Sequence, residues 1–298
     1  MQIAKWNQHR GRKVAGIYRL VKFTPDFWST QHKPRSRLTL GDATGTATCV
    51  IPVAAEMIEQ RALSAFVRIS GTVSTKVLTR STIDVADIAF VAQPSLKSWH
   101  LLAREWVAEE GLDAFDRLLG ILDRLQHKAM IAFADQVLAD EAIAKLFLNI
   151  PASRKHHHAT PGGLLIHSVE CAEIAEKMAP RLLSAHERDL AVVAALLHDI
   201  GKIRTLCPTG GDTDAVHGVS QSALNLEVLA PFIPYLQAAW SSGANALRAA
   251  LAPAYYLKNS GGWPPLLLTD FVRYIDRLSA GKDLRAHNFS DRPDWQSY

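Results

Sequence analysis

The sequence predicts two domains, an all-β barrel followed by an all-α domain, and three observations predict it. The first third of the chain alternates apolar and polar residues around β-branched and aromatic side chains. A short polar run, AQPSLK at Ala92–Lys97, then interrupts the pattern. Beyond it apolar residues recur at helical spacing, and strands followed by helices across a linker signify separate domains rather than one mixed sheet. The expected boundaries are residues 1–93 for the barrel, 98–285 for the helical domain and 286–298 for a polar C-terminal tail.

Val14–Phe23 and Arg37–Leu40 read as strands, Gly41–Gly45 as a turn, and Thr46–Val53 as the returning strand. Ala54–Ser64 has helical spacing, and Ala65–Thr75 and Ile83–Val91 are strands again. Strand, hairpin, short helix and two strands is the content of a five-stranded OB barrel. The hairpin LTLGDATGTATCVIPV, Leu38 to Val53, resembles the strand 2–turn–strand 3 unit of nucleic-acid-binding OB-folds.

After the linker, Trp99–Glu110, Leu112–Ala139 and Glu141–Leu148 have helical spacing. Pro161-Gly162-Gly163 opens a helix to about Ala179, with His167, Cys171, Ile174 and Met178 on one face and Glu170, Glu173 and Lys177 on another. Ser184 and Glu187 form a capping-box pattern for the next helix, whose stretch Leu190–Leu197 is apolar on every side. That helix ends at His198-Asp199, where Gly201 is expected to supply the C-terminal turn. A last helix begins after Pro264-Pro265. On it Asp270, Arg273 and Arg277 face outward, while Asp276 follows Leu268 and Val272 at four-residue intervals and faces inward.

At 298 residues with 48% hydrophobic and 21% charged residues, the composition is globular. The longest apolar run is only Leu190–Leu197, so no membrane span is expected, and the N-terminus lacks the apolar core of a secretory signal. A cytoplasmic location is the expectation. The three cysteines, Cys49, Cys171 and Cys207, form no CxxC pair, which argues against a disulfide scaffold or a zinc ribbon. There is no P-loop, GxGxxG or GxSxG pattern, so ATPase, dehydrogenase and serine hydrolase readings lack support. The first 95 residues carry 13 Lys and Arg against 6 Asp and Glu, a balance of +7, whereas the remainder is net −3. A basic module on a mildly acidic body points to a polyanion as the partner of the N-terminal part. The candidate nucleic-acid-binding residues there are Lys22, Trp28, Lys33, Arg35 and Arg37.

Seven of the twelve histidines fall between His156 and His217. An ionised Asp beside a His at the end of a buried helix is costly unless its charge is compensated. A divalent cation is the simplest compensation, since adjacent imidazole and carboxylate ligands suit transition metals. His167, His198-Asp199 and Asp276 each lie on the apolar side of an expected helix, and together they point to a metal.

His…His-Asp…Asp is the signature of the HD superfamily of metal-dependent phosphohydrolases. PASRKHHHATPGGLLIHSVE (Pro151–Glu170) followed by AALLHDIGK (Ala194–Lys202) resembles the HD domain of YhaM-type 3′–5′ exoribonucleases, which also place an OB-fold before it. The HHH-x-x-PGGLL-x-H segment is also similar to TraI/MobH-type proteins of conjugative elements. The resemblance implies that His167, His198, Asp199 and Asp276 ligate one divalent ion (Mn, Fe, Ni or Zn), and that Lys202 faces a substrate phosphate. It places His156, His157 and His158 at the pocket rim. Either His157 or His158 would suit protonation of the leaving oxygen. His217 matches an additional histidine of two-metal members, but those carry a further histidine pair where this chain has APAYYLKNSGG (Ala252–Gly262). One tightly bound metal is expected, with an incomplete second set. The leading function is a 3′–5′ exonuclease on single-stranded RNA or DNA, with Asp199, Lys202 and the loop histidines in catalysis. The alternatives are a nucleotide phosphohydrolase and a nucleic-acid-binding conjugative-element protein with little catalysis.

Overall fold

The computed structural model describes residues 2–26, 35–51, 66–75, 82–91, 95–154, 158–214, 218–252, 266–288 and 292. The chain divides into two compact units, Met1–Trp106 with Leu138–Glu141, and Val107–Val137 with Ala142–Tyr298. The first unit thus takes in residues beyond the polar run at Ala92–Lys97.

The first unit is built on β1 (Lys13–Asp26), β2 (Arg35–Asp42), β3 (Gly45–Ile51), β4 (Phe66–Val73) and β5 (Thr82–Val91). They close a barrel in the order β1-β2-β3-β5-β4, all pairs antiparallel except β3 with β5. This is the OB arrangement. Alternation decides which side chains point in: Leu38 and Leu40 of β2, Ala47, Cys49 and Ile51 of β3, and Val67 and Ile69 of β4 are all buried. Arg37 and Lys22 stand exposed on the outer face. Closure requires β4 and β5 to approach closely at a bulge, and a Cβ on Gly71 would lie 2.3 Å from the Asp84 carbonyl oxygen. The expected helix at Ala54–Ser64 lies outside the described residues.

The sequence pattern gave no sign of the piece that fills one end of the barrel. Ile3–His9 is a 3₁₀ helix whose Ile3 and Trp6 join the barrel core. Trp6 is fully buried and meets Tyr18 edge-on, ring centres 5.3 Å apart. Buried Asp42, at the β2–β3 turn, holds this helix. One carboxylate oxygen accepts from the Ile3 N–H at 2.8 Å, and the other from the Thr44 N–H at 2.8 Å.

Among the described residues Arg19 is the buried cation of this unit, 1% exposed. Its guanidinium donates to the carbonyls of Leu101 and Ala139 and stacks against Phe66 and Trp106. Burial lowers its pKa to about 10.

Trp99–Glu110 is not one helix. Three short 3₁₀ turns, Ser98–Leu101, Arg104–Trp106 and Glu109–Gly111, are separated by extended residues at Leu102 and Ala108. Trp99, Leu101, Leu102, Ala103, Trp106 and Val107 are all buried, more apolar directions than one helical stripe can satisfy. Leu112–Ala139 is two helices, α1 (Leu112–Arg124) and α2 (Lys128–Ala139). The break is fixed from a distance: the N–H groups of Gln126 and His127 both donate to Asp189 Oδ2 at 2.6 Å. Among the described residues the remaining helices are α3 (Glu141–Asn149), α4 (Gly163–Leu182), α5 (Ala185–Leu197), α6 (Gln221–Leu229), α7 (Ile233–Ala239), α8 (Ser241–Leu251) and α9 (Leu267–Asn288).

The capping box of Ser184 and Glu187 starts α5, and every residue from Leu190 to Leu197 is buried. On α4 the buried stripe is narrower than the expected apolar face. Small residues Cys171, Ala172, Ala175 and Ala179 pack inward, whereas Met178 is 38% exposed. Among the described residues no helix is long and apolar enough to cross a membrane.

Replacing Trp6 by Ala should destabilise the protein by roughly 3–5 kcal/mol, the usual cost of deleting a fully buried aromatic. Urea unfolding of the full chain measures it, and an unchanged midpoint would show that the 3₁₀ helix does not complete the core.

Candidate metal centre

His167 is brought to the site by a turn that demands glycine twice. Gly162 has φ +73°, and a Cβ on Gly163 would fall 1.9 Å from the His158 carbonyl oxygen. That carbonyl accepts from the Ala152 N–H at 2.9 Å, so the loop lies directly on the start of α4. His167 follows one turn later and is fully buried.

His198 and Asp199 come from the end of α5, where the chain passes into a 3₁₀ helix, Ile200–Arg204. Gly201 does not supply a left-handed turn here, and it is absent from the positive-φ residues. Its role is close approach: an added Cβ would lie 2.7 Å from the Asn225 nitrogen and 2.8 Å from Leu224. Buried Asn225 on α6 clamps the turn. Its Oδ1 accepts from the Gly201 N–H at 2.7 Å, and its Nδ2 donates to the carbonyls of His198 (2.5 Å) and Leu251 (3.2 Å). Asp276 arrives from α9, whose Leu268, Val272 and Ile275 are buried.

One ligand-capable atom from each of His167, His198, Asp199 and Asp276 lies within 4.8 Å of the others. His167 Nε2 is 3.2 Å from His198 Nε2, 3.2 Å from Asp276 Oδ1 and 3.6 Å from Asp199 Oδ2. His198 Nε2 is 3.4 Å from Asp199 Oδ2 and 3.5 Å from Asp276 Oδ1. The His198 Nδ1–H donates to the Ala195 carbonyl at 2.8 Å, which leaves the Nε2 lone pair facing the others in the neutral ring. Two imidazole nitrogens and two carboxylates aimed at one point fit a divalent transition metal, for which this mixed donor set is suited. Cys171 Sγ stands 3.9 Å from His167 Nε2, its thiol kept protonated by burial.

The electrostatics are those of a compensated cluster. Burial holds the His167 pKa down. Burial also opposes a charged His198, but Asp199 and Asp276 outweigh it and the net direction is up. For Asp199, burial alone would raise the pKa, yet His198 and Lys202 bring it below the ordinary carboxylate value. Asp276 is likewise driven down, against burial, by the two neighbouring histidines. Lys202 Nζ lies 2.5 Å from Asp199 Oδ2.

Among the other candidates, His158 is close to the cluster, its ring centre 5.6 Å from that of His167. It adopts a left-handed backbone (φ +51°), its N–H donates to Asp283 Oδ2 at 3.1 Å, and its Nε2 is 3.4 Å from Glu170 Oε2. His157 and His217 lie outside the described residues, as do His156 and most of APAYYLKNSGG. On the barrel, Thr24 is opposite Arg37 in the β1–β2 register, so Lys22 and Arg37 are diagonal neighbours on one exposed face. Arg35 pairs with Asp26 in the same ladder, and Trp28 and Lys33 are outside the described residues.

Sequence reasoning missed Glu170, Ser279 and Asn225. The first two each follow a cluster residue by three positions, Glu170 after His167 and Ser279 after Asp276, spacing that puts them one helical turn away on the same side. Asn225 left no such signal, because its partners are distant in sequence.

The family model for the HD domain matches residues 164–281, a span that contains all four cluster residues. This stretch of the chain is an HD domain. The chain is 35% identical over 74 residues to the 3′-5′ exoribonuclease YhaM of Bacillus licheniformis, covering 25% of this chain and 23% of that protein. Similar matches occur to the proteins of the same name from Bacillus velezensis, 35% over 72 residues (24% and 23%), and Bacillus subtilis, 37% over 60 residues (20% and 19%). The matched segments thus span less than a quarter of those relatives.

Hydrogen bonding from His158, with Lys282 and Ser279, depresses Glu170 from 4.5 to about 2 against the effect of burial. A carboxylate depressed on folding contributes stability that is complete above its unfolded pKa and is lost as pH falls through the folded value. Between pH 4.5 and about 2 the wild type should therefore lose stability that Glu170→Gln does not. Urea midpoints across that window test this, and parallel profiles for the two proteins would refute it.

Proposed function

We propose that the HD domain at residues 164–281 works as a metal-dependent phosphodiesterase, and that the whole chain is a 3′–5′ exonuclease on single-stranded nucleic acid. The convergence of His167, His198, Asp199 and Asp276 on one point carries the reading. The partial similarity to proteins named exoribonucleases supports the substrate class. One ion of Mn, Fe, Ni or Zn, held by those four residues, would lower the pKa of a bound water and act as a Lewis acid on the phosphate.

The chain's own groups would do the rest. Lys202, now paired with Asp199, would turn its ammonium to the non-bridging oxygens of the scissile phosphate as negative charge develops there. His158, set between Glu170 and Asp283, and His157 beside it in sequence are the groups for protonating the leaving 3′-side oxygen. On the barrel, Lys22 and Arg37, with Trp28, Lys33 and Arg35, would hold the strand through phosphate contacts and stacking.

An end-labelled single strand, RNA and DNA in parallel, with added Mn²⁺ should give a ladder shortening one nucleotide at a time from the 3′ end. Hydrolysis confined to mononucleotides would make the protein a nucleotide phosphohydrolase, and strand binding with no turnover would make it an accessory binding protein. Either result overturns the exonuclease.

His198→Ala and Asp199→Ala should each abolish metal uptake measured by elemental analysis. Lys202→Ala should keep the metal and lose turnover on the order of 10²–10³-fold, the range for removing one preorganised transition-state donor. Unchanged turnover in that variant would remove Lys202 from the mechanism.

A further inference from the structure

Glu170 is an ionised carboxylate at neutral pH, so it offers only acceptors. Its Oε2 is 3.0 Å from Ser279 Oγ, and the single hydroxyl proton of Ser279 must therefore point to Glu170. Ser279 Oγ also lies 3.1 Å from His167 Nδ1. With its proton committed to Glu170, the oxygen can only accept there, which places the His167 proton on Nδ1. The lone pair of the neutral ring is then on Nε2, the atom that faces His198, Asp199 and Asp276.

The surroundings hold this direction. Ser279 is 1% exposed and His167 fully buried, so water does not compete for the contact. The other oxygen of Glu170 accepts from Lys282 Nζ at 3.1 Å, so with Ser279 on Oε2 donors hold both carboxylate oxygens. His198 reaches the same tautomer by another route, through the backbone carbonyl of Ala195.

We propose that Glu170 and Ser279 are positioning residues, a carboxylate–hydroxyl relay that fixes the His167 tautomer so that Nε2 is presented to a divalent metal. The proposal rests on the metal-site reading above and adds the groups that prepare one of its ligands. Groups of this kind behind a metal-bound histidine are typically worth 10- to 100-fold in metal affinity.

The test uses the full chain with Zn²⁺ as probe, in wild type, Ser279→Ala and Glu170→Gln. ¹⁵N-resolved imidazole spectra of the metal-free protein at mildly alkaline pH should show His167 protonated at Nδ1. Ser279→Ala removes the acceptor, and the side-chain amide of Glu170→Gln can donate to Ser279 and so reverse the relay. Both should move the proton to Nε2, and the Zn²⁺ dissociation constant should rise roughly 10- to 100-fold. Loss of local packing alone would not reverse a tautomer, and Glu170→Gln is nearly isosteric, so it guards against a variant that simply fails to fold. Retention of the Nδ1 proton in both variants, with unchanged Zn²⁺ affinity, would overturn the relay. If the wild type takes up no Zn²⁺, the metal-site reading fails, and the tautomers of the metal-free proteins still decide the relay.

Discussion

Four acceptor atoms that repel one another are held together in the helical unit, with only the Asp276 side chain among them substantially exposed. Two carboxylates and the Nε2 atoms of two imidazoles meet within 4.8 Å. Such a cluster is unfavourable without positive charge among it, because the low-dielectric surroundings strengthen repulsion as much as attraction. The structure imposes the arrangement by rigid means: an all-round buried helix for His198 and Asp199, a glycine turn for His167, and a long helix for Asp276. Lys202, 2.5 Å from Asp199, supplies part of that positive charge.

Rigidity of that kind comes from a few close approaches rather than from bulk. At Gly163 the loop carbonyl of His158 occupies the space of a side chain, and at Gly201 the α6 backbone does. Asn225 satisfies three backbone groups around the turn after α5, including one from α8, so three segments share a single buried amide. Each such buried polar group is costly when unpaired, and pairing it in only one geometry fixes that geometry.

How much of this was legible in the sequence depended on whether the cause was local. Alternation through Arg37–Leu40 and Thr46–Ile51 is a property of neighbouring residues, and so is the apolar run Leu190–Leu197; both elements appear where they were expected. The inward spacing of Asp276 could also be read, because Leu268 and Val272 mark the same face. The misreadings have non-local causes. Periodicity places Met178 inward, yet it stands 38% exposed. Gly201 was read as a cap, whereas its partner is 24 residues further on. Trp6 gave no signal, since nothing in its own stretch indicates that a barrel end needs filling.

The boundary between α1 and α2 has a consequence for the order in which the helical unit assembles. The first turn of α2 takes its cap from Asp189 in α5, 63 and 62 positions from the two N–H groups that it receives. A cap inside the same segment would let the helix nucleate alone, and α2 has only twelve residues, too few for an isolated helix to persist in water. Its start therefore depends on closing a long loop first. The helix that carries His198 and Asp199 is in this way also a template on which an earlier segment of the chain completes its fold.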